Sequence, residues 1–206
     1  MHIESLLEEP SAEAALSLLL PKILEGVTFA LHPHQGKRDL LANLPDRLRA
    51  YRKWLPGDWR IVVLVDNDRD NCKALKAKLE QAAADAGLTT KSAAMGKHRF
   101  QVVNRLAIEE LEAWFFGDVE ALACAYPRVP ATLAKKKRYR DPDAIPGGTW
   151  EALEAVLRRS GYYPVGLPKV EVARNISAHM APQRNRSRSF QVFREGVLSL
   201  ARERAS

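Results

Sequence analysis

The stretch that decides the fold is Arg60-Ile-Val-Val-Leu-Val-Asp-Asn-Asp-Arg-Asp70. It begins with an unbroken, mostly β-branched apolar run, which is typical of a strand buried on both faces in a parallel sheet. Three carboxylates, those of Asp66, Asp68 and Asp70, follow this run at alternate positions. Ligands of open α/β sheets bind at the carboxyl ends of the strands. The stretch therefore predicts a parallel sheet with a site at its edge.

Alternate residues of an extended segment point the same way, so we expect Asp66 and Asp68 to converge. Converging carboxylates repel each other unless they share a proton, a cationic partner or a metal. Oxygen ligands of this kind suit Mg²⁺ or Mn²⁺. The alternative is a solvated loop in which Asp68 or Asp70 is the N-cap of the next helix. The position directly after a buried strand favours the metal site.

Composition allows one sizeable domain with a packed core, because the chain has 206 residues, of which 46% are hydrophobic. No apolar run reaches transmembrane length and the start does not resemble a signal peptide, so we expect a cytoplasmic protein without membrane contact. The two cysteines are far apart, and reduced thiols are expected. A formal net charge of +7 favours a polyanionic partner.

Hydrophobic periodicity predicts alternating strands and helices before residue 119. Strands are expected at 2–7, 27–31, 61–65, 88–94 and 100–108, and helices at 12–24, 38–54, 71–86 and 109–118. Pro21 predicts a break in the first helix. The order βαβαβαββα is typical of an α/β fold with a mainly parallel sheet flanked by helices.

The composition changes at Tyr126, after which prolines and glycines cluster until Gly148. Helices are then expected at 149–159, 170–179 and 190–204. We therefore divide the chain into an α/β core at 1–125 and a basic, mainly helical C-terminal extension at 126–206 that packs on the core.

Two segments resemble the Toprim domain of topoisomerases, primases and nucleases of the overcoming-lysogenization-defect type. Leu64-Val-Asp-Asn-Asp68 matches the Asp-x-Asp segment of that domain. Leu7-Glu-Glu-Pro-Ser-Ala-Glu13 matches the first segment with Glu8 as the signature glutamate, although Glu9 then replaces a glycine and Ala12 an acid. An offset alignment uses Glu9 and Glu13 at the same spacing. Both alignments stay open, and Glu8 is preferred.

Nearly the whole chain is also similar to an uncharacterised bacterial Toprim-like family found beside AAA-type ATPases. Three passages carry this resemblance: Gln35-Gly-Lys-Arg-Asp-Leu-Leu41, Ile108-Glu-Glu-Leu-Glu-Ala-Trp114 with Asp118, and Asn185-Arg-Ser-Arg-Ser-Phe190. The resemblance implies a Toprim-like fold and a metal-dependent nuclease acting on DNA or RNA, with a role in phage defence. The implied partners are nucleic acid and an AAA-type ATPase, and a homodimer is expected.

For the site, the resemblance implies Mg²⁺ or Mn²⁺ held by Glu8, Asp66 and Asp68, with Lys169 stabilising developing charge. Hydrolysis with two metals needs further carboxylates. The candidates are Asp70, Glu109 and Glu112, together with Glu9 and Glu13 of the offset alignment. Glu109 and Glu112 are three residues apart on the predicted helix and are expected to share a face. Alternatively, these acids only stabilise the N-terminal end of that helix through its dipole.

Basic residues supply the candidates for contact with the phosphate backbone, a salt-dependent interaction without sequence specificity. Tyr139 and Phe190, beside these residues, are candidates for base stacking. Without the family resemblance, the favoured interpretation of Lys37 is an ordinary solvated lysine. The basic candidates are Lys37, Lys135, Lys136, Lys137, Arg138, Arg140, Arg184, Arg186 and Arg188.

Two other functions compete with the nuclease hypothesis. Ala12 in place of the usual acid favours a degenerate, non-catalytic module that binds nucleic acid or an ATPase. Asp-x-Asp also holds metal in glycosyltransferases and in haloacid-dehalogenase phosphatases, but the residues after Asp68 do not match the phosphatase pattern.

Overall fold

Four parallel strands form the centre of this computed structural model, which describes residues 1–68, 70–94 and 99–202. The carboxyl ends of these strands are level, because Leu7 lies opposite Leu64 and Asp66 opposite Ala107. The predicted α/β architecture is confirmed. The strands are β1 (His2–Leu7), β2 (Thr28–Pro33), β3 (Trp59–Asp66) and β4 (Val102–Ala107), in the spatial order β2-β1-β3-β4.

Helices cover both faces of the sheet. They are α1 (Pro10–Ile23), α2 (Lys37–Trp54), α3 (Cys72–Asp85), α4 (Glu112–Gly117), α5 (Val119–Ala125), α6 (Thr149–Arg159), α7 (Lys169–His179) and α8 (Arg188–Arg202). Ile61, Val63 and Val65 face α2 and α3, whereas Val62 and Leu64 face the opposite core built by α1 and α4 to α8. The apolar run of β3 therefore contributes to both cores. No helix of the described residues is long and apolar enough to cross a membrane.

The C-terminal helices extend one of the two cores rather than forming a separate one. Helix α7 packs along α1 and α8 packs against β4. Lys22 of α1 donates from Nζ to the carbonyl oxygens of Ser177 at 2.9 Å and Met180 at 3.0 Å, at the end of α7. Such contacts satisfy the last carbonyl groups of a helix. The division of the chain at residue 125 stays a prediction.

The structure corrects three predicted elements. The strand expected at 88–94 is wrong, because only an isolated bridge from Thr90 to Val102 forms before the chain turns. Helix α1 continues through Pro21, although proline has no N–H to donate to the Ser17 carbonyl; because Pro21 lies in the last turn, the hydrogen bond is lost close to the end of the helix. The helix expected at 109–118 begins only at Glu112 and ends at Gly117, and a separate helix, α5, follows, with Asp118 as the N-cap that accepts a hydrogen bond from Ala121 N at 3.2 Å. Residues 203 and 204 of the last predicted helix lie outside the described residues.

The close approach of α4 to the segment before α8 yields a stability prediction for Gly117→Ala. A Cβ atom at Gly117 would lie 2.0 Å from Asn185 Oδ1 and 2.9 Å from Ser187 N. Asn185 is buried and donates to Trp114 O at 2.7 Å, so it cannot move away freely. Overpacking of this kind is expected to lower the free energy of unfolding by about 2 kcal/mol, measured by chemical denaturation.

Gly57→Ala is the matched control, because nothing lies within 4 Å of the added methyl group. Its free energy of unfolding is expected to change by less than about 0.5 kcal/mol. Equal stability of the two variants would contradict the tight contact at Gly117.

Candidate functional site

Four carboxylates meet where β1, β3 and the segment after β4 reach one edge of the sheet. Glu8 and Glu9 directly follow β1, Asp66 is the last residue of β3, and Glu112 begins α4. The backbone N–H of Asp66 donates to Glu8 Oε2 at 3.0 Å, which ties the ends of β1 and β3 together. Level strand ends therefore bring together acids that are more than a hundred residues apart in the chain.

Burial and nearby negative charges raise the pKa values of Glu8, Asp66 and Glu112. Burial, followed by the negative charges of Glu112 and Glu8, raises the pKa of Asp66 well above its usual range. No described residue donates a hydrogen bond to the Asp66 carboxylate to offset this effect. Burial also raises the pKa of Glu8, although the Asp66 N–H and Lys37 oppose it. Burial raises the pKa of Glu112 to about 7 against the opposing effect of its own backbone N–H and Lys169.

Two lysines flank the acids. Lys37, at the start of α2, places Nζ 2.5 Å from Asp68 Oδ2 and 2.9 Å from Asp70 Oδ2. Lys169, at the start of α7, places Nζ 3.7 Å from Glu9 Oε1 and 4.7 Å from the centre of the Trp150 ring. Burial alone would lower both lysine pKa values, but the surrounding carboxylates outweigh burial and raise them. Both side chains are therefore cations beside the acidic cluster.

The sequence predicted that Asp68 would point the same way as Asp66 because alternate residues of a strand do so. This prediction is wrong, because the strand ends at Asp66. Asp68 has a left-handed φ of 49°, and its N–H donates to the Glu109 carbonyl at 2.6 Å. Its carboxylate turns to Lys37, yet it stays close enough to raise the pKa of Asp66. The alternative N-caps are also wrong, since the side chain of Asn71 caps α3 and accepts from Lys73 N at 3.0 Å.

The remaining candidate acids lie around this cluster in different roles. Glu109 precedes α4 with a φ of 61°, so the expected shared helix face with Glu112 is wrong. Glu110 accepts from Trp150 N at 2.7 Å at the start of α6. Glu13 lies half-buried in α1, and its side chain makes no hydrogen bond or ion pair within the described part of the chain. The structure therefore groups Glu112, rather than Glu13, with Asp66.

Oxygen ligands of this kind fit a hard cation such as Mg²⁺ or Mn²⁺. Across 1–68, 70–94 and 99–202, however, no three His, Cys, Asp or Glu side chains are arranged to hold an ion by themselves. Magnesium in phosphate chemistry usually keeps several waters and is bound by one or two carboxylates plus the phosphates of the substrate. The residues present fit such an open site, with Asp66 and Glu8 as its ligands.

The two basic segments meet beside α4 and are mostly exposed. The Tyr139 ring stacks on Phe116 with centroids 5.2 Å apart, and Arg186 N donates to Gly117 O at 2.9 Å. The predicted base stacking by Tyr139 and Phe190 is wrong, because both side chains are buried in the core. Exposed cations in these segments that form no ion pair within the described residues are Lys135, Lys136, Lys137, Arg138, Arg140, Arg186 and Arg188.

Arg184, also a candidate for phosphate contact, forms ion pairs with two acids, the N-cap residue Asp118 and Glu120 of α5. Its Nε lies 2.8 Å from Asp118 Oδ1, and its Nη1 lies 2.9 Å from Glu120 Oε2. Lys37 is similarly paired with Asp68 and Asp70. Both cations have their charges balanced by acids of the protein, unlike the other seven candidate cations of the basic segments, for which no ion pair forms within the described residues.

Sequence reasoning did not single out Asn67, which shapes the turn after β3. Its Nδ2 donates to Asp70 O at 3.0 Å and to Asp68 O at 3.3 Å, so it holds the two acids that face Lys37. The Oδ1 atom is buried and has no hydrogen-bond partner among the described residues. The position of Asn67 between two aspartates could have indicated this role, because asparagine side chains often form hydrogen bonds with the backbone of turns.

These features define an α/β protein with an open acidic site, flanked by two lysines, at the carboxyl edge of a parallel sheet. A family model described as "Domain of unknown function (DUF4276)" matches residues 7–198, and the chain belongs to this family. Neither the curated proteins nor the solved structures gave a match.

Proposed function

We propose that the chain is a metal-dependent nuclease that hydrolyses phosphodiester bonds of DNA or RNA at the carboxyl edge of its sheet. One observation carries this proposal: Glu8, Asp66 and Glu112 converge from three parts of the chain, where burial and then the neighbouring negative charges raise the pKa of Asp66. A protein that buries like charges together without partners loses stability. A bound cation would remove this cost, and a phosphate would complete its coordination.

Each residue has a role that follows from its position. Asp66 and Glu8 would hold Mg²⁺ or Mn²⁺, which neutralises charge on a phosphate and lowers the pKa of a bound water. Glu112 is close enough to Asp66 to raise the pKa of that acid, and its own pKa of about 7 lets it accept a proton near neutral pH. Lys169 is held by Glu9 and Trp150, and it would stabilise the charge that develops on the phosphate oxygens.

The resemblance to Toprim nucleases supports the same chemistry at Glu8, Asp66 and Asp68, and the position of Lys169 beside Glu9 supports its proposed role in charge stabilisation. By that resemblance, the proposal extends to phage defence together with a separate AAA-type ATPase. The chain itself has no Gly-x-x-x-x-Gly-Lys-Ser/Thr motif, so ATP hydrolysis would come from the partner.

The test is cleavage of single- and double-stranded DNA and of RNA by the purified protein, with Mg²⁺, with Mn²⁺ and with EDTA. Because the site is open, calorimetry should find weak metal binding without nucleic acid and tighter binding with a non-hydrolysable strand. Cleavage that continues in EDTA would contradict the metal-dependent proposal, as would a lack of cleavage with every metal and an added AAA-type ATPase.

A non-catalytic binding module is the second candidate. It is favoured by the pairing of Lys37 with both Asp68 and Asp70, which occupies part of the predicted ligand set. This candidate predicts salt-sensitive binding of nucleic acid without metal-dependent cleavage. The cleavage and calorimetry experiments above distinguish the two candidates.

A further inference from the structure

A cavity of about 470 Å³ opens at the outer edge of the sheet beside β4, between α3 and α8. Its size falls in the range of small-molecule sites, roughly 300–1,000 Å³. The lining is mostly apolar, with Leu106, Ile108 and Val192 among its walls. Four cations and one acid also line it: Lys73, Lys76, Arg105, Arg188 and Asp143. The cavity therefore combines apolar walls with an excess of positive charge.

Two of these cations build the walls of the cavity. Lys76 donates from Nζ to Asn104 O at 2.8 Å and pairs with Glu80. Arg105 donates to Asn104 O at 2.8 Å and to Val192 O at 2.9 Å, which joins β4 to α8. Since the Asn104 carbonyl already accepts these bonds, the edge of β4 is not free to receive an added peptide strand there.

The other two cations are free to bind a ligand. Lys73 and Arg188 are exposed and form no ion pair within 1–68, 70–94 and 99–202. Asp143 is engaged by the protein, since its Oδ1 accepts from Ser187 Oγ and Ser189 Oγ, both at 2.8 Å. The charge presented to a ligand is therefore positive, at the mouth of an apolar cavity.

The cavity also adjoins the acidic site. Ile108 lines it and is followed by Glu109, whose carbonyl accepts from the N–H of Asp68. Cys72 lines it on the other side, two residues after Asp70. A strand that reaches Asp66 could therefore place a neighbouring nucleotide in this cavity.

We propose that this cavity binds one unstacked nucleotide of a single-stranded nucleic acid, with its base against Leu106, Ile108 and Val192 and its phosphate beside Lys73 and Arg188. Bases removed from their stack are commonly held between apolar side chains. The inference rests on the proposed function, because the nucleotide is one that flanks the bond at the acidic site. It narrows the substrate class to single strands or unpaired ends.

The test is fluorescence anisotropy of a short 3′-labelled oligo(dA) strand, measured in EDTA so that binding is separated from cleavage. Arg188→Gln and Lys73→Gln are each expected to weaken binding about tenfold. Each should also reduce the slope of log affinity against log salt by about 0.7, as expected for one lost phosphate contact to a single strand. Lys53→Gln, an exposed change of equal charge on α2, is expected to stay within about twofold of wild type.

Val192→Phe fills the cavity without changing charge and is expected to weaken binding, and thermal unfolding checks that each variant is folded.

Wild-type affinity in Val192→Phe and Arg188→Gln would overturn the inference. AMP binding as tight as that of the strand would overturn the assignment to a strand. Asp66→Asn should still bind in EDTA. Cavity-dependent binding without cleavage by wild type would contradict the nuclease proposal while leaving the cavity assignment intact.

Discussion

Asp66→Asn is expected to lower phosphodiester cleavage at least about a thousandfold, because a metal ligand contributes several kcal/mol to the transition state. The fold should be retained, since asparagine has nearly the same size and the Glu8 contact uses the backbone N–H of Asp66. The variant should also be more stable than wild type in EDTA, because one of several crowded negative charges is removed. Steady-state cleavage and thermal unfolding of the same preparations measure both effects.

Asp46→Asn is the matched control, since Asp46 is an exposed acid of α2 that pairs only with Arg49 in the described structure. It should change neither cleavage nor stability measurably. Asp68→Asn is also expected to lose cleavage by the Toprim resemblance. Full activity in both Asp66→Asn and Asp68→Asn would exclude the acidic cluster as the catalytic site.

The metal-free protein is expected to lose about 3 kcal/mol of stability between pH 4.5 and pH 7 through Glu112 alone. An acid with a raised pKa in the folded state binds more protons there than in the unfolded state. Its contribution is therefore present below the unfolded pKa of 4.5 and is lost as pH rises to the folded pKa of about 7. Asp66 and Glu8, whose pKa values are also raised, act in the same direction.

Denaturant titrations in EDTA across this pH range measure the free energy of unfolding. Glu112→Gln should remove the part of the pH-dependent loss of stability that is due to Glu112. Glu25→Gln, at an exposed position after α1, should keep the wild-type pH dependence. Stability that rises from pH 4.5 to pH 7 in wild type would contradict the burial of crowded acids at this site. Glu4 and Glu80 have lowered pKa values, so their contributions are lost only as pH falls below 4.5.

The sequence predicted the sheet because its signal is local. The apolar run before Asp66 has alternating residues in both cores, as expected of a strand covered on both sides. The strand at 2–7 has the predicted bounds. Level carboxyl ends follow from parallel pairing, so the approach of Glu8 to Asp66 was also predictable from the chain alone.

Several of the wrong predictions concern contacts between residues that are distant in the chain. Asp68 turns to Lys37, and Tyr139 is buried against Phe116; neither contact has a periodic signal. Glu109, Glu110 and Glu112 lie in one short acidic run, and the sequence does not show which of them is buried. In the structure the backbone at Glu109 is left-handed, and Glu112 is the buried acid of the three.

The sequence by itself determined the parallel sheet and the acidic edge where Asp66 lies, since strand periodicity and strand-end chemistry are local properties. The tertiary structure decided which charges meet there. Lys169 reaches Glu9 only because α7 packs along α1, and Glu112 is buried only because the C-terminal helices close over α4. Charge pairing and burial depend on packing between distant segments, which local patterns do not encode.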